Sequence, residues 1–258
     1  MNYTVSQSDW LQARANKLRE FFQLDADAAL LSADARKPEL STAVENSLKR
    51  FNIEWHLVPS RGAVAFDDAY VKRLYPTVPL NFSTSREHAS SYHDQIVFNH
   101  AAHQGCIIGV ETTLKPRYLP GNKQFYGTTY GFDQTVDPFS TYFGLAGMMS
   151  GTRYAHNYNA IQNLINVIND DWKRRGLLPN GYLLTVCPPA IFNLIGTVFH
   201  PEWSETETLE LGFYRDDYGN ATCYAVGCNA PKDFSYIAEV EGESDWALLG
   251  FRMALVPE

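Results

Sequence analysis

The chain has 258 residues, a net charge of −8 at pH 7 and only 19% charged residues, against roughly 25% in an average globular domain. Its longest basic run is Lys173-Arg174-Arg175, which is too short to neutralise a polyanion, so nucleic acid and anionic membrane are excluded as main partners. No apolar stretch has the roughly 18 residues of a membrane span, and the first ten residues lack a signal peptide pattern. We therefore expect a protein that is cytoplasmic or assembled into a particle, and not secreted by a signal peptide.

Helices are predicted first along the chain. Ser6 and Asp9 have the spacing of a capping box, and the apolar residues that follow recur every three or four positions up to Phe22. A second helix is predicted to begin near Thr42. Residue types and turn signals then predict a strand at 51–58, a short helix at 67–75 and a strand at 106–114.

The middle of the chain contains a turn signal and then many aromatic residues. The sequence Leu-Pro-Gly-Asn-Lys at 119–123 predicts a hairpin turn, because proline fixes φ and glycine or asparagine accepts positive φ. A return strand is predicted at 125–130 and a long loop at 131–151. A loop of this length is often functional or forms an interface. The rings crowded into this region are Tyr126, Tyr130, Phe132, Phe139, Tyr142 and Phe143, followed by Tyr154 and Tyr158. Such a loop could bind an apolar ligand or a sugar, could contact another subunit, or could form a buried aromatic cluster, so a small-ligand binding protein is a third functional hypothesis.

The clearest predicted element is a helix at 156–175, with one apolar stripe and a basic end. Strands are predicted after it at 182–186, 209–215, 221–228, 234–240 and 246–256. The sequence thus predicts an α+β fold with N-terminal helices, a central hairpin and long helix, and a C-terminal antiparallel sheet. We predict one domain, 1–258, with a subdivision into 1–104 and 105–258 left open.

Histidines cluster in one segment: four of the seven lie between positions 88 and 103. On a helix, His93, His100 and His103 would share a face, and three imidazoles with an open position suit zinc or iron and could activate a water. The segment has no HExxH pattern, and structural or solvated roles for these histidines are the alternative. This cluster is the basis of one functional hypothesis, a metal-dependent enzyme that is a hydrolase or an oxygenase.

Two further features involve single residues. Cys187 precedes two prolines at the end of a predicted strand and could be a nucleophile with His156 or His200 as its base, or else a small buried apolar group. Near the C-terminus, Gly250-Phe251-Arg252 resembles the closing strand of formylglycine-generating-type proteins and related C-type-lectin-like domains. That resemblance covers about a dozen residues, and we assign no activity from it.

Composition favours the leading functional hypothesis, an assembly subunit, to which the metal-dependent enzyme is the alternative. Sparse charge with 15 Tyr, 15 Phe and 5 Trp indicates a surface suited to protein contacts, although the same rings could fill a core. The predicted partners are protein subunits, self or other, in an oligomer or larger assembly. A virion component such as a phage head–tail or tail protein fits this composition.

Overall fold

The computed structural model contains helices packed on two four-stranded sheets and a short hairpin. It describes residues 7–23, 38–59, 73–74, 106–113, 117–119, 123–125, 137–148, 152–205, 209–215, 221–228, 233–234, 236–245 and 249–258. The predicted α+β class is confirmed.

The helices form where the sequence supplies a cap or an apolar stripe. Ser41 and Asn157 cap the second and fourth helices, accepting hydrogen bonds from the amides of Val44 and Ala160, as side chains at such positions do. The helix bounds are α1 Gln7–Phe22, α2 Thr42–Arg50, α3 Ser140–Leu145, α4 Tyr158–Arg174 and α5 Pro189–Val198, followed by a 3-10 helix at Pro201–Glu205.

The strands are divided between three sheets. Their bounds are β1 Ile53–Val58, β2 Cys106–Glu111, β3 Arg117–Leu119, β4 Lys123–Phe125, β5 Tyr182–Val186, β6 Leu209–Arg215, β7 Ala221–Gly227, β8 Tyr236–Val240, β9 Leu249–Phe251 and β10 Met253–Pro257. The first sheet has the order β1-β2-β10-β5, the second has β8-β7-β6-β9, and β3 pairs with β4 alone. All pairs are antiparallel except β6 with β9, which is parallel.

The last predicted strand, 246–256, is divided in the structure. It forms β9 and β10, which belong to different sheets, and the break falls at Arg252. A single segment at the C-terminus therefore connects the two sheets. The guanidinium of Arg252 is buried and bonds to Glu210 of the second sheet and to the carbonyl oxygen of Glu111 in the first.

Buried apolar residues from both four-stranded sheets and from α1, α2, α3, α4 and α5 form one connected core. The α4 stripe is buried as its spacing predicts, and Trp172 on it stacks with Phe139. None of the helices in the described part of the chain combines the length and apolar character needed to cross a bilayer.

Several predicted elements differ in the structure or fall outside its described part. Residues 67–72 and 75 of the predicted short helix lie outside the described residues, as does most of the return strand at 125–130. The strand predicted at 106–114 pairs with β1 and β10, whereas the hairpin consists of β3 and β4. The segment predicted as a long loop contains α3, and α5 was not predicted.

Candidate metal centre

Strand β1 places two polar side chains on one face of the first sheet. Glu54 and His56 are two residues apart, so their side chains point to the same side of the strand. Pairing of Glu54 with Val110 and of His56 with Ile108 fixes this register. His56 is fully buried, whereas the Glu54 side chain is 38% exposed. The site therefore has one buried side and one side open to solvent.

His200 approaches this face from the end of α5. Its backbone amide donates to the carbonyl of Ile195 at 3.0 Å, and its own carbonyl accepts from the amide of Trp203 at 3.0 Å. Pro201 begins the 3-10 helix because proline cannot continue α5 but suits the first position of a new turn. The chain on both sides of His200 is thereby fixed, and its ring meets that of His56 edge-on, with 5.3 Å between centroids.

Three donor atoms converge between these elements. Glu54, His56 and His200 each offer one donor atom, and the three atoms lie within 4.8 Å of one another. Glu54 Oε2 and His200 Nε2 are 3.7 Å apart. Ligands at zinc bond lengths in a tetrahedron are about 3.3 Å apart, so a contraction of about 1.5 Å or less would complete a three-ligand site.

His56 is the most unusual residue of the three. Neither of its ring nitrogens has a hydrogen-bond partner among the described residues, although both nitrogens are buried. Buried polar atoms are nearly always partnered, and leaving one unsatisfied costs about 1–3 kcal/mol. Burial, and then the charge of Arg14, hold the pKa of His56 well below its usual value. The imidazole is therefore neutral at pH 7, which is the form that binds metals.

The other two donors are each held by a charged neighbour. His200 Nδ1 lies 2.7 Å from Glu202 Oε1, which leaves Nε2 directed at Glu54. Arg14 forms an ion pair with Oε1 of Glu54, while Oε2 is the oxygen nearest His200. Outer partners of this kind orient metal ligands and fix the histidine tautomer. Burial lowers the pKa of His200, and the hydrogen bond to Glu202 opposes that shift.

Aromatic rings enclose the imidazoles. The His200 ring stacks on Trp203 with 4.9 Å between centroids and an interplanar angle of 11°. The His56 ring packs on Phe199 at 5.1 Å. These contacts hold both ring planes and keep water away from the buried side of the site, where electrostatic interactions are strongest.

The histidine cluster predicted from sequence cannot be placed on this structure. His93, His100 and His103 lie outside the described residues, so their role as zinc or iron ligands stays a prediction. The predicted fold of the surrounding segment stays a prediction for the same reason.

Cys187 lies in the core and not in a nucleophile's environment. It is 2% exposed, and burial raises the pKa of its thiol. The charged groups that act on that pKa are Arg252, Glu210 and Glu111, and no imidazole is among them. His156 Nε2 is hydrogen-bonded to the carbonyl oxygen of Thr152. A reactive cysteine needs a lowered pKa, so the structure favours the alternative of a small buried apolar group.

The aromatic residues of the middle segment are core residues where the structure describes them. Phe139, Tyr142, Phe143 and Tyr154 are all less than 5% exposed. Tyr142 also accepts a hydrogen bond from Trp172 Nε1 and donates one to Asp171. Tyr126, Tyr130 and Phe132 lie outside the described residues. The four buried rings therefore contribute to the core, whereas Tyr158 is only partly buried and its ring packs edge-on against Phe213.

Sequence reasoning missed Glu54 and His56, and it considered His200 only as a possible base for Cys187. A signal was present: β1 reads Ile-Glu-Trp-His-Leu-Val, so two polar residues alternate within an otherwise apolar strand. Such residues on a strand that packs into a core need a partner or a function.

Comparison with protein families, with curated proteins and with solved structures finds no match to this chain. The family resemblance seen at Gly250-Phe251-Arg252 gains no support from these comparisons. Any statement about function therefore depends on the geometry of the site.

Proposed function

We propose that this protein is a metal-dependent hydrolase whose divalent ion, zinc by its donor set, is bound by Glu54, His56 and His200. The observation that carries the proposal is the buried imidazole of His56, whose two ring nitrogens lack hydrogen-bond partners among the described residues and which packs against His200. Two imidazoles, one carboxylate and an open fourth position are typical of hydrolytic zinc enzymes.

Each residue has a distinct role in this proposal. Zinc would supply a Lewis acid and lower the pKa of a bound water towards 7. His56 would hold the ion from the buried side, and Glu54 would bind it at the side that is open to solvent and therefore to substrate. Glu202 would accept a hydrogen bond from Nδ1–H of His200 and so keep Nε2 available as a ligand. Phe199 and Trp203 limit water access from behind.

Metal content tests this proposal directly. The chain is stripped with a chelator, incubated with zinc or Fe(II), desalted and analysed for metal. We expect about one equivalent of zinc in the native chain and almost none in His56→Leu or His200→Gln. The matched control is the double variant His100→Gln/His103→Gln, which disrupts the other histidine cluster and should keep its zinc.

If the double variant loses its zinc while His56→Leu and His200→Gln keep theirs, the metal centre lies in the histidine cluster at 93–103. Metal below about 0.2 equivalents in the native chain would exclude both sites. Retention of iron in preference to zinc at the same three residues would change the reaction class to an oxygenase, because two histidines and one carboxylate also hold non-haem iron.

The assembly function inferred from composition has less support. Among the described residues, the large apolar side chains that are exposed are Leu145, at 71%, and Leu183, at 42%. Two separate leucines are normal for a monomer surface. An assembly role therefore gains no support from exposed apolar side chains in the described part, and mass photometry tests it: a strict monomer over a range of concentrations would exclude self-assembly.

A further inference from the structure

Two cationic side chains of α1 lie beside the proposed metal centre. Arg14 and Lys17 are three residues apart, so they share a helix face. The Arg14 guanidinium carbon is 4.9 Å, and Lys17 Nζ 5.6 Å, from the centroid of the Phe199 ring. That ring packs on His56. Both charges are also close enough to His56 to lower its pKa.

Among the described residues, the formal charges at this place would not balance once a metal is bound. A divalent ion, partly buried Arg14 and exposed Lys17 would stand against the carboxylates of Glu54 and Glu202, which leaves a formal excess of about two positive charges around a site that is buried on one side. An anionic ligand would remove this imbalance.

We propose that the substrate of this site, if the proposed hydrolase function holds, presents a phosphate monoester dianion to Arg14, Lys17 and the open ligand position. A phosphate monoester carries close to two negative charges at pH 7, which matches the excess. One N–H group of Arg14 is used by Glu54, and a guanidinium has five donors in a planar fork suited to phosphate oxygens. Lys17, exposed on α1, adds a point charge at the solvent-facing side.

Cobalt(II) in place of zinc gives a spectroscopic test with inorganic phosphate as the probe. We expect phosphate to change the visible absorption of the cobalt-loaded native chain in a saturable way, and sulfate to compete better than acetate. Lys17→Gln should weaken the apparent phosphate Kd about fivefold, the effect of losing one charge near water. Lys17→Arg should keep it close to the native value.

The control is Lys49→Gln, the same charge change at an exposed position on α2, which should leave the phosphate Kd unchanged. Equal weakening in both glutamine variants, or no response of bound cobalt to phosphate, would overturn the phosphate proposal and leave the metal site intact. If cobalt does not bind at all, the proposed function itself fails, so the two failures are distinguishable.

Discussion

Two groups of polar side chains in this protein, one fully buried and one buried on one side only, differ in how completely their buried atoms are partnered. The first, which we call the ion cluster, connects the two four-stranded sheets and consists of Glu111, Asp137, Arg153, Glu210 and Arg252. Arg153 donates hydrogen bonds to the carboxylates of Glu111 and Asp137, with donor–acceptor distances of 2.6–2.7 Å. Arg252 bonds to Glu210 and to two backbone carbonyls. The second group is the Glu54–His56–His200 site, where His56 has no hydrogen-bond partner among the described residues.

The contrast separates a structural role from a functional one. Buried charges are tolerated when each is paired and hydrogen-bonded, and the ion cluster meets that condition at the place where the chain passes from one sheet to the other. In the Glu54–His56–His200 site the buried His56 ring has no partner within the described part of the chain, and such a group costs stability in the protein alone. An unsatisfied buried group of this kind is retained where a bound ligand supplies the missing interactions, and functional sites are commonly less stable than they could be.

The largest expected effect is on the ion cluster. Arg153→Met leaves two buried carboxylates, Glu111 and Asp137, without their cation, and this should lower the free energy of unfolding by about 3–5 kcal/mol. The matched control is Arg174→Met, since Arg174 is 74% exposed in its ion pair with Asp171 and should cost well under about 1 kcal/mol. Chemical denaturation measures both. Similar values for the two variants would show that the ion cluster does not stabilise the fold.

The next prediction concerns a substitution in the core that should not destabilise the metal-free protein. His56→Leu replaces an unsatisfied polar ring by an apolar group, so the metal-free variant should be within about 1 kcal/mol of the native chain or more stable. Zinc at 100 times its Kd should stabilise the native chain by about 2.7 kcal/mol and the variant not at all. Chemical denaturation in chelator measures the stability of each metal-free chain, and denaturation with zinc measures how much the metal stabilises it. A loss of 3 kcal/mol or more in the metal-free variant, roughly the cost of a disrupted core, would mean that His56 has partners after all.

How far sequence could predict the fold depended on periodicity. The helices α1, α2 and α4 have apolar residues at helical spacing, and β1 has turn signals around it, so each was predicted near its observed bounds. Helix α5 was missed because residues Pro189 to Gly196 are all buried. A helix that is apolar on all sides has no stripe, and a short apolar run of this kind cannot be assigned from periodicity alone.

The candidate site was hidden for a related reason. Glu54 and His56 could have been singled out as polar residues in a buried strand, but their convergence with His200 depends on where α5 ends relative to β1. That placement is a tertiary contact between distant parts of the chain, and a single sequence does not encode it in any local pattern. The histidines at 93–103 attracted attention because they are close in sequence, which is a poor guide to closeness in space.

The smallest expected effect concerns Glu202, which contacts a proposed ligand and not the metal. Glu202→Gln keeps the size of the side chain but removes the charge that holds Nδ1 of His200 at 2.7 Å. Zinc affinity should fall about 10- to 100-fold, as it does when outer partners of ligating histidines are changed, with stability in chelator nearly unchanged because the Glu202 side chain is 43% exposed. The control Glu239→Gln makes the same change at an exposed position of β8 and should leave zinc affinity as it is. Competition with a chromogenic chelator measures both constants. Equal zinc affinities for Glu202→Gln and the native chain would mean that Glu202 merely pairs with His200 at the surface, and the contrast between the two buried groups would then depend on His56 alone.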